Sequence, residues 1–116
     1  MTITLITGAN KGLGYETARR LIDLGHKVYI GARDEQRGKA AADQLGAHFV
    51  RLDVTDDVSV REAAETIAKN EGRLDVLVNN AGISGERSSP QETTVDEMHR
   101  VFETNVFGVV RVARAF

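Results

Sequence analysis

Three glycines have the type and spacing to hold a phosphate. They lie in Thr7-Gly8-Ala9-Asn10-Lys11-Gly12-Leu13-Gly14, directly behind the apolar run Ile3-Thr4-Leu5-Ile6. The run reads as a buried strand, and the residues from Gly12 onward as the start of a helix. A helix start presents unpaired backbone N–H groups and the positive end of the aligned peptide dipoles, so it attracts phosphate without a cationic side chain. Gly8 suits a sharp exit from the strand, Gly12 leaves the backbone open to close approach, and Gly14 lets the helix lie near the sheet. The alternative is a turn that is merely glycine-rich. The strand-to-helix setting favours a nucleotide pyrophosphate.

Two cations bear on which nucleotide this is. The second strand-like run, Val28-Tyr29-Ile30-Gly31-Ala32, ends at Arg33, and Lys11 sits inside the glycine turn. In a dinucleotide fold the tip of the second strand faces the adenosine ribose. An acid there accepts a bond from a free 2′-hydroxyl, whereas an arginine accommodates a 2′-phosphate. Arg33 and Lys11, with no acid at the tip, favour NADP(H) over NAD(H). The alternative is that both are solvated surface charges, with Asp34 placed to pair with Arg33. The histidines His26, His48 and His99 lack ligand spacing, and the sequence has no cysteine, so no metal site, disulfide or thiol nucleophile is expected.

These groups need elements to position them. Strands are predicted over residues 2–7, 27–31, 47–52 and 74–79, and helices over 12–24, 35–45, 58–70 and 95–116. The first helix has Leu13, Thr17, Ala18, Leu21 and Ile22 on one side and Gly25 as its stop. The third follows the capping pair Asp56-Asp57 and turns Val60, Ala63, Ala64 and Ile67 inward. Such alternation predicts an α/β fold of the Rossmann type, a doubly wound parallel sheet in the order 3-2-1-4 with helices on both faces. The last helix opens on a capping box, Thr94 to Glu97. It carries an apolar stripe of Met98, Val101, Phe102, Val109, Val112, Ala113 and Phe116 with Asn105 in its middle, and an amide facing a core must be paired. Phe107 and Val110 lie off the stripe, either as scattered surface residues or as a face for a partner subunit. The one long loop, 82–94, holds Ser84, Glu86, Arg87, Ser88, Ser89 and Pro90.

At 116 residues, 41% hydrophobic and 28% charged, the chain suits a single soluble globular domain over 1–116. A net charge of -2 gives no basic footprint for nucleic acid or an anionic membrane, so neither partner is expected. The N-terminal apolar run is too short for a signal or a membrane span, and a cytoplasmic setting is the default expectation.

Along its whole length the sequence resembles the short-chain dehydrogenase/reductase family. The motifs that carry the likeness are Thr7-Gly8-x-x-x-Gly12-x-Gly14, Leu52-Asp53-Val54, Asn79-Asn80-Ala81-Gly82 and Asn105. Within the family, Thr7 to Gly12 and Ala32-Arg33-Asp34 with Arg37-Gly38 look most like the NADPH-dependent carbonyl reductases. The resemblance implies an oxidoreductase enzyme that moves hydride between NADP(H) and a small carbonyl or alcohol substrate. It implies cofactor contacts from Gly8, Asn10, Lys11, Gly12, Leu13, Arg33, Asp53, Val54, Asn80, Ala81 and Gly82. Asp53 and Val54 would border the adenine, Asn80 would tie the fourth strand to a neighbour, and Asn105 would belong to the catalytic constellation. It also implies a homo-oligomer formed through the 95–116 helix. Read on their residues alone, Asp53 equally suits a cap for the next helix, Asn79-Asn80 a turn, and Asn105 a structural amide bonded to backbone.

The family's chemistry needs a tyrosine acid, a lysine four residues later and a serine. The only tyrosines, Tyr15 and Tyr29, are followed four residues on by Arg19 and Arg33, and Ser84, Ser88 and Ser89 precede the family's serine position. The apolar helix pattern also runs to Phe116 without a stop. The expectation is therefore an NADP(H)-binding domain, incomplete at its C-terminus, with weak binding and no turnover by itself. Its fourth strand would show an unpaired edge. The alternative is a non-catalytic nucleotide-binding module or an inactive truncated fragment.

Overall fold

The computed structural model describes residues 1–83 and 91–116; Ser84, Glu86, Arg87, Ser88, Ser89 and Pro90 of the long loop lie outside the described residues. The apolar N-terminal run forms strand β1 (Ile3–Thr7), buried at every position as a central parallel strand must be. It pairs in parallel with β2 (Lys27–Ala32) on one side and β4 (Val76–Val78) on the other, and β2 pairs in parallel with β3 (His48–Arg51). The resulting order, β3-β2-β1-β4, is the one the alternation predicts. The helices are α1 (Gly12–Asp23), α2 (Glu35–Leu45), α3 (Asp57–Glu71), α4 (Val95–Phe102) and α5 (Gly108–Ala115).

Alternation along each strand sends side chains to two cores. Ile6, Val28 and Ile30 pack with Ala18 of α1 and with Ala41 and Ala42 of α2. Leu5 and Tyr29 pack on the opposite face with Val60, Ala63 and Ile67 of α3 and Val112 of α5. The helices start where their caps place them. Asp34 accepts a bond from the Arg37 amide at 2.9 Å, Asp56 from the Val58 amide at 2.9 Å, and Thr94 from the Glu97 amide at 3.1 Å.

Two expectations are corrected. Leu13 does not join the buried side of α1 but stands 76% exposed, because Gly14 and Ala18 face inward and Leu13 lies about 100° from the first and about 140° from the second around the helix axis. The predicted helix 95–116 is not continuous: a π-helical turn, Glu103–Phe107, separates α4 from α5. The Gly108 amide there bonds the Glu103 carbonyl, five residues back. The extra residue breaks the apolar stripe. Val112 is fully buried, whereas Met98 and Phe102 are half exposed.

At the sheet end away from the glycine turn, Tyr29 donates to Glu71 at 2.6 Å and the Lys27 ammonium lies 2.8 Å from the same carboxylate. Lys27 foremost, then Tyr29, holds the Glu71 carboxyl below its ordinary value of 4.5. A depressed acid stabilises the fold fully above its unfolded pKa and loses that contribution as pH falls through the folded one. Glu71→Gln should therefore be less stable than wild type in urea melts at about pH 7, with the gap closing as pH falls below the carboxyl's ordinary value. A gap that stays constant as the carboxyl is protonated would show that the charge contributes nothing.

Candidate functional site

All four strands run the same way, so their C-terminal ends deliver four loops to one edge of the sheet. There they enclose a cavity of about 350 Å³. Gly8, Asn10, Lys11 and Gly12 come from the turn after β1, and Ala32 and Arg33 from the end of β2. Leu52, Asp53, Val54 and Thr55 follow β3, and Asn80, Ala81, Gly82 and Ile83 follow β4. Thr104, from the π turn, closes the far side. Every expected cofactor residue except Leu13 thus meets at one opening. Ala32, Leu52, Thr55, Ile83 and Thr104 line it too and were not among the expected contacts.

The glycine turn is built tightly. Gly8 has φ of +63°, and a Cβ there would lie 2.9 Å from the Ala81 Cα. A Cβ on Gly14 would run into the Asn80 amide and lie 3.0 Å from the Ala9 Cα, so α1 sits as close as a glycine allows. Gly12, with φ of +65°, faces open space instead. The turn is also bonded to the end of β4. Thr7 Oγ1 accepts from the Asn80 and Ala81 amides at 3.0 and 2.9 Å, and Asn80 Nδ2 donates to the Gly8 carbonyl at 3.0 Å.

On the β3 side, Asp53 does not cap the next helix, since Asp56 does. Its Oδ1 accepts from the Thr55 amide at 2.9 Å and the Thr55 hydroxyl at 2.6 Å. Burial pushes the Asp53 carboxyl up, but the Thr55 bonds and the charges of Arg33 and Arg51 outweigh it and hold the group below its usual value. Arg33 is exposed at the cavity rim. Asp34 does not pair with it, because that carboxylate serves the Arg37 amide and lies 3.9 Å from the Arg37 guanidinium. Neither Arg33 nor Lys11 forms a salt bridge among the described residues.

Asn105 lies in the π turn, exposed and outside the cavity lining, rather than facing a core as its place in the stripe suggests. Its amide is paired on both sides by one backbone unit: Oδ1 accepts from the Ile83 amide at 2.8 Å and Nδ2 donates to the Ile83 carbonyl at 2.7 Å. Turned off the stripe, the side chain reaches across to the strand end. Neither tyrosine lines the cavity; Tyr15 bonds Gln44 and Tyr29 bonds Glu71.

Residues 2–116 match the family described as short chain dehydrogenase. The chain belongs to this family. Among its relatives, a short-chain dehydrogenase of Penicillium roqueforti is 39% identical over 122 residues, covering 98% of this chain and 48% of that one. The NADPH-dependent pterin aldehyde reductase of Arabidopsis thaliana is 39% identical over 116 residues, covering 97% and 48%. The crystal structure of 3-ketoacyl-(acyl-carrier-protein) reductase from Brucella melitensis, complexed with NADH, superposes with a TM-score of 0.92. It is 33% identical, over 97% of this chain and 47% of that one. The chain therefore spans just under half the length of each. The family is one of oxidoreductases that use nicotinamide cofactors. Among the described residues, no helix is long and apolar enough to cross a membrane.

Proposed function

We propose that residues 1–116 form the cofactor-binding domain of an NADP(H)-dependent oxidoreductase that moves hydride between the nicotinamide and a small carbonyl or alcohol. The observation that carries this reading is the joining, in one cavity, of an open glycine turn and an exposed arginine at the tip of β2 that forms no salt bridge among the described residues. The residues present fit the cofactor. The space in front of Gly12 and the N-terminus of α1 suits the pyrophosphate, with Asn10 and Gly8 shaping the turn. Arg33 and Lys11 suit a 2′-phosphate, Asp53 and Val54 the adenine, and Asn80, Ala81 and Gly82 the stretch beyond β4. Asn105 orders that last stretch through Ile83 and stands as the chain's one member of the catalytic constellation.

The bound cofactor supplies the hydride. The acid that completes the reaction is not among these residues, since both tyrosines are engaged away from the cavity. On that ground the 116 residues alone act as a nucleotide-binding module without turnover. The half-exposed Met98, Phe102, Phe107 and Val110 support an oligomer assembled through the 95–116 region.

The test is Arg33→Ala, followed by calorimetric titration with both cofactors. NADPH affinity should fall by about 1.5–3 kcal/mol, the range for a lost hydrogen bond to a charged group, and NADH affinity should hold. Equal losses for the two would remove the 2′-phosphate assignment.

A further inference from the structure

Arg111, on α5 and outside the cavity lining, ties together the Val54 stretch of the cavity wall, the start of α3 and the π turn that carries Thr104 of the wall. Its Nη1 donates to the Val54 carbonyl at 2.7 Å, its Nε to Asp57 Oδ1 at 2.5 Å and its Nη2 to Glu103 Oε1 at 2.8 Å. Val54 lines the cavity on the β3 side; Glu103 opens the π turn, and next to it come Thr104, also in the wall, and Asn105. The Arg111 side chain is only 22% exposed. Burial opposes its charge, and the two carboxylates outweigh that effect. Asp57 is largely exposed, so that pair alone would be worth little. The bond to the Val54 carbonyl is different, because Val54 lies outside any helix or strand that could hold it. Gly108, three residues before Arg111, brings α5 against the same residue: a Cβ there would lie 2.8 Å from Val54 Cγ2 and 3.1 Å from the Val54 carbonyl.

We propose that Arg111 is a positioning residue that fixes the gap between the Val54 wall and the π turn carrying Thr104 and Asn105, and so sets nucleotide affinity without touching the nucleotide. The proposal rests on the cofactor reading above. Its structural half does not. A Val54 held by Arg111 and packed on Gly108 cannot drift from the turn, so the adenine side and the Asn105 side of the site move as one piece.

The test compares wild type with Arg111→Met, which keeps the apolar stem, and Arg111→Lys, which keeps the charge but not the fork. Amide hydrogen exchange is followed at Gly108 and Ile83 and at the sheet residues Leu5 and Ile30, and NADPH affinity is measured on the same samples. In Arg111→Met the Gly108 and Ile83 amides should exchange about tenfold faster, Leu5 and Ile30 should be unchanged, and NADPH should bind about tenfold more weakly, with Arg111→Lys in between. Unchanged exchange at Gly108 and Ile83 overturns the proposal whatever the nucleotide does. Faster exchange in step at all four amides marks a general stabiliser and overturns it too. Local loosening with unaltered NADPH affinity overturns the positioning role. A wild-type protein that binds no NADPH overturns the cofactor reading and the affinity claim with it, and the exchange data then decide the clamp alone.

Discussion

Gly8→Val should abolish detectable NADPH binding and lower the stability of the chain by about 3 kcal/mol or more, the sum of two costs. The first is backbone strain. Gly8 holds φ of +63°, a region that a β-branched residue adopts only at a cost of about 1–3 kcal/mol. The second is steric. A Cβ at Gly8 would stand 2.9 Å from the Ala81 Cα and 3.1 Å from its Cβ, and the nearer of these is backbone that cannot rotate away. The end of β4 would have to move, and with it Asn80, whose side chain bonds the Gly8 carbonyl. Gly12→Ala provides the contrast. It shares a positive φ, of +65°, but faces open space, so its stability loss should be near the conformational cost alone, about 1 kcal/mol. Its affinity should nevertheless drop sharply, because the added methyl enters the space read as the phosphate's. Urea melts beside cofactor titrations separate the two. A Gly12→Ala protein that binds NADPH as wild type does would place the phosphate elsewhere.

The topology was legible because buried parallel strands are short apolar runs and each is followed here by a helix with a visible start. Asp56 and Thr94 cap where the sequence predicts, and Asp34, expected only as a partner for Arg33, caps α2 as well. The glycine turn was legible for the same local reason, since its spacing encodes a geometry that only the chain's neighbours need supply. Strand ends were less so. The expected fourth strand, 74–79, shortens to Val76–Val78 because, among the described residues, β4 lies at the edge and pairs only with β1, over three residues.

The last helix shows where periodicity stops informing. A 3.6-residue stripe assumes an unbroken ladder, and one extra residue at Glu103–Phe107 rotates everything before it relative to everything after. Asn105 was the signal: an amide in an apolar stripe has to be paired, and turning it out of the stripe toward Ile83 satisfies it. The partners of Arg111, at positions 54, 57 and 103, are far apart in the chain or hidden among ordinary surface charges, and only the fold brings them to one guanidinium.

Thr7→Val should lower stability by about 2–3 kcal/mol and weaken NADPH binding, although valine matches threonine in shape. Thr7 is 1% exposed, and its hydroxyl oxygen accepts from both the Asn80 and Ala81 amides. Valine offers them nothing. The Asn80 amide also reaches the Val78 carbonyl at 3.0 Å, so the unmet donor is chiefly that of Ala81, and an unsatisfied buried donor costs about 1–3 kcal/mol. Affinity should fall because Asn80 and Ala81 line the cavity and lose the contact that holds them to the glycine turn. Thr7→Ser keeps the acceptor and drops only a methyl, so it should recover most of both losses. If serine and valine behaved alike, the methyl group's packing rather than the hydroxyl would be holding β1 to the end of β4, and the polar rivet between turn and strand would have no energetic weight.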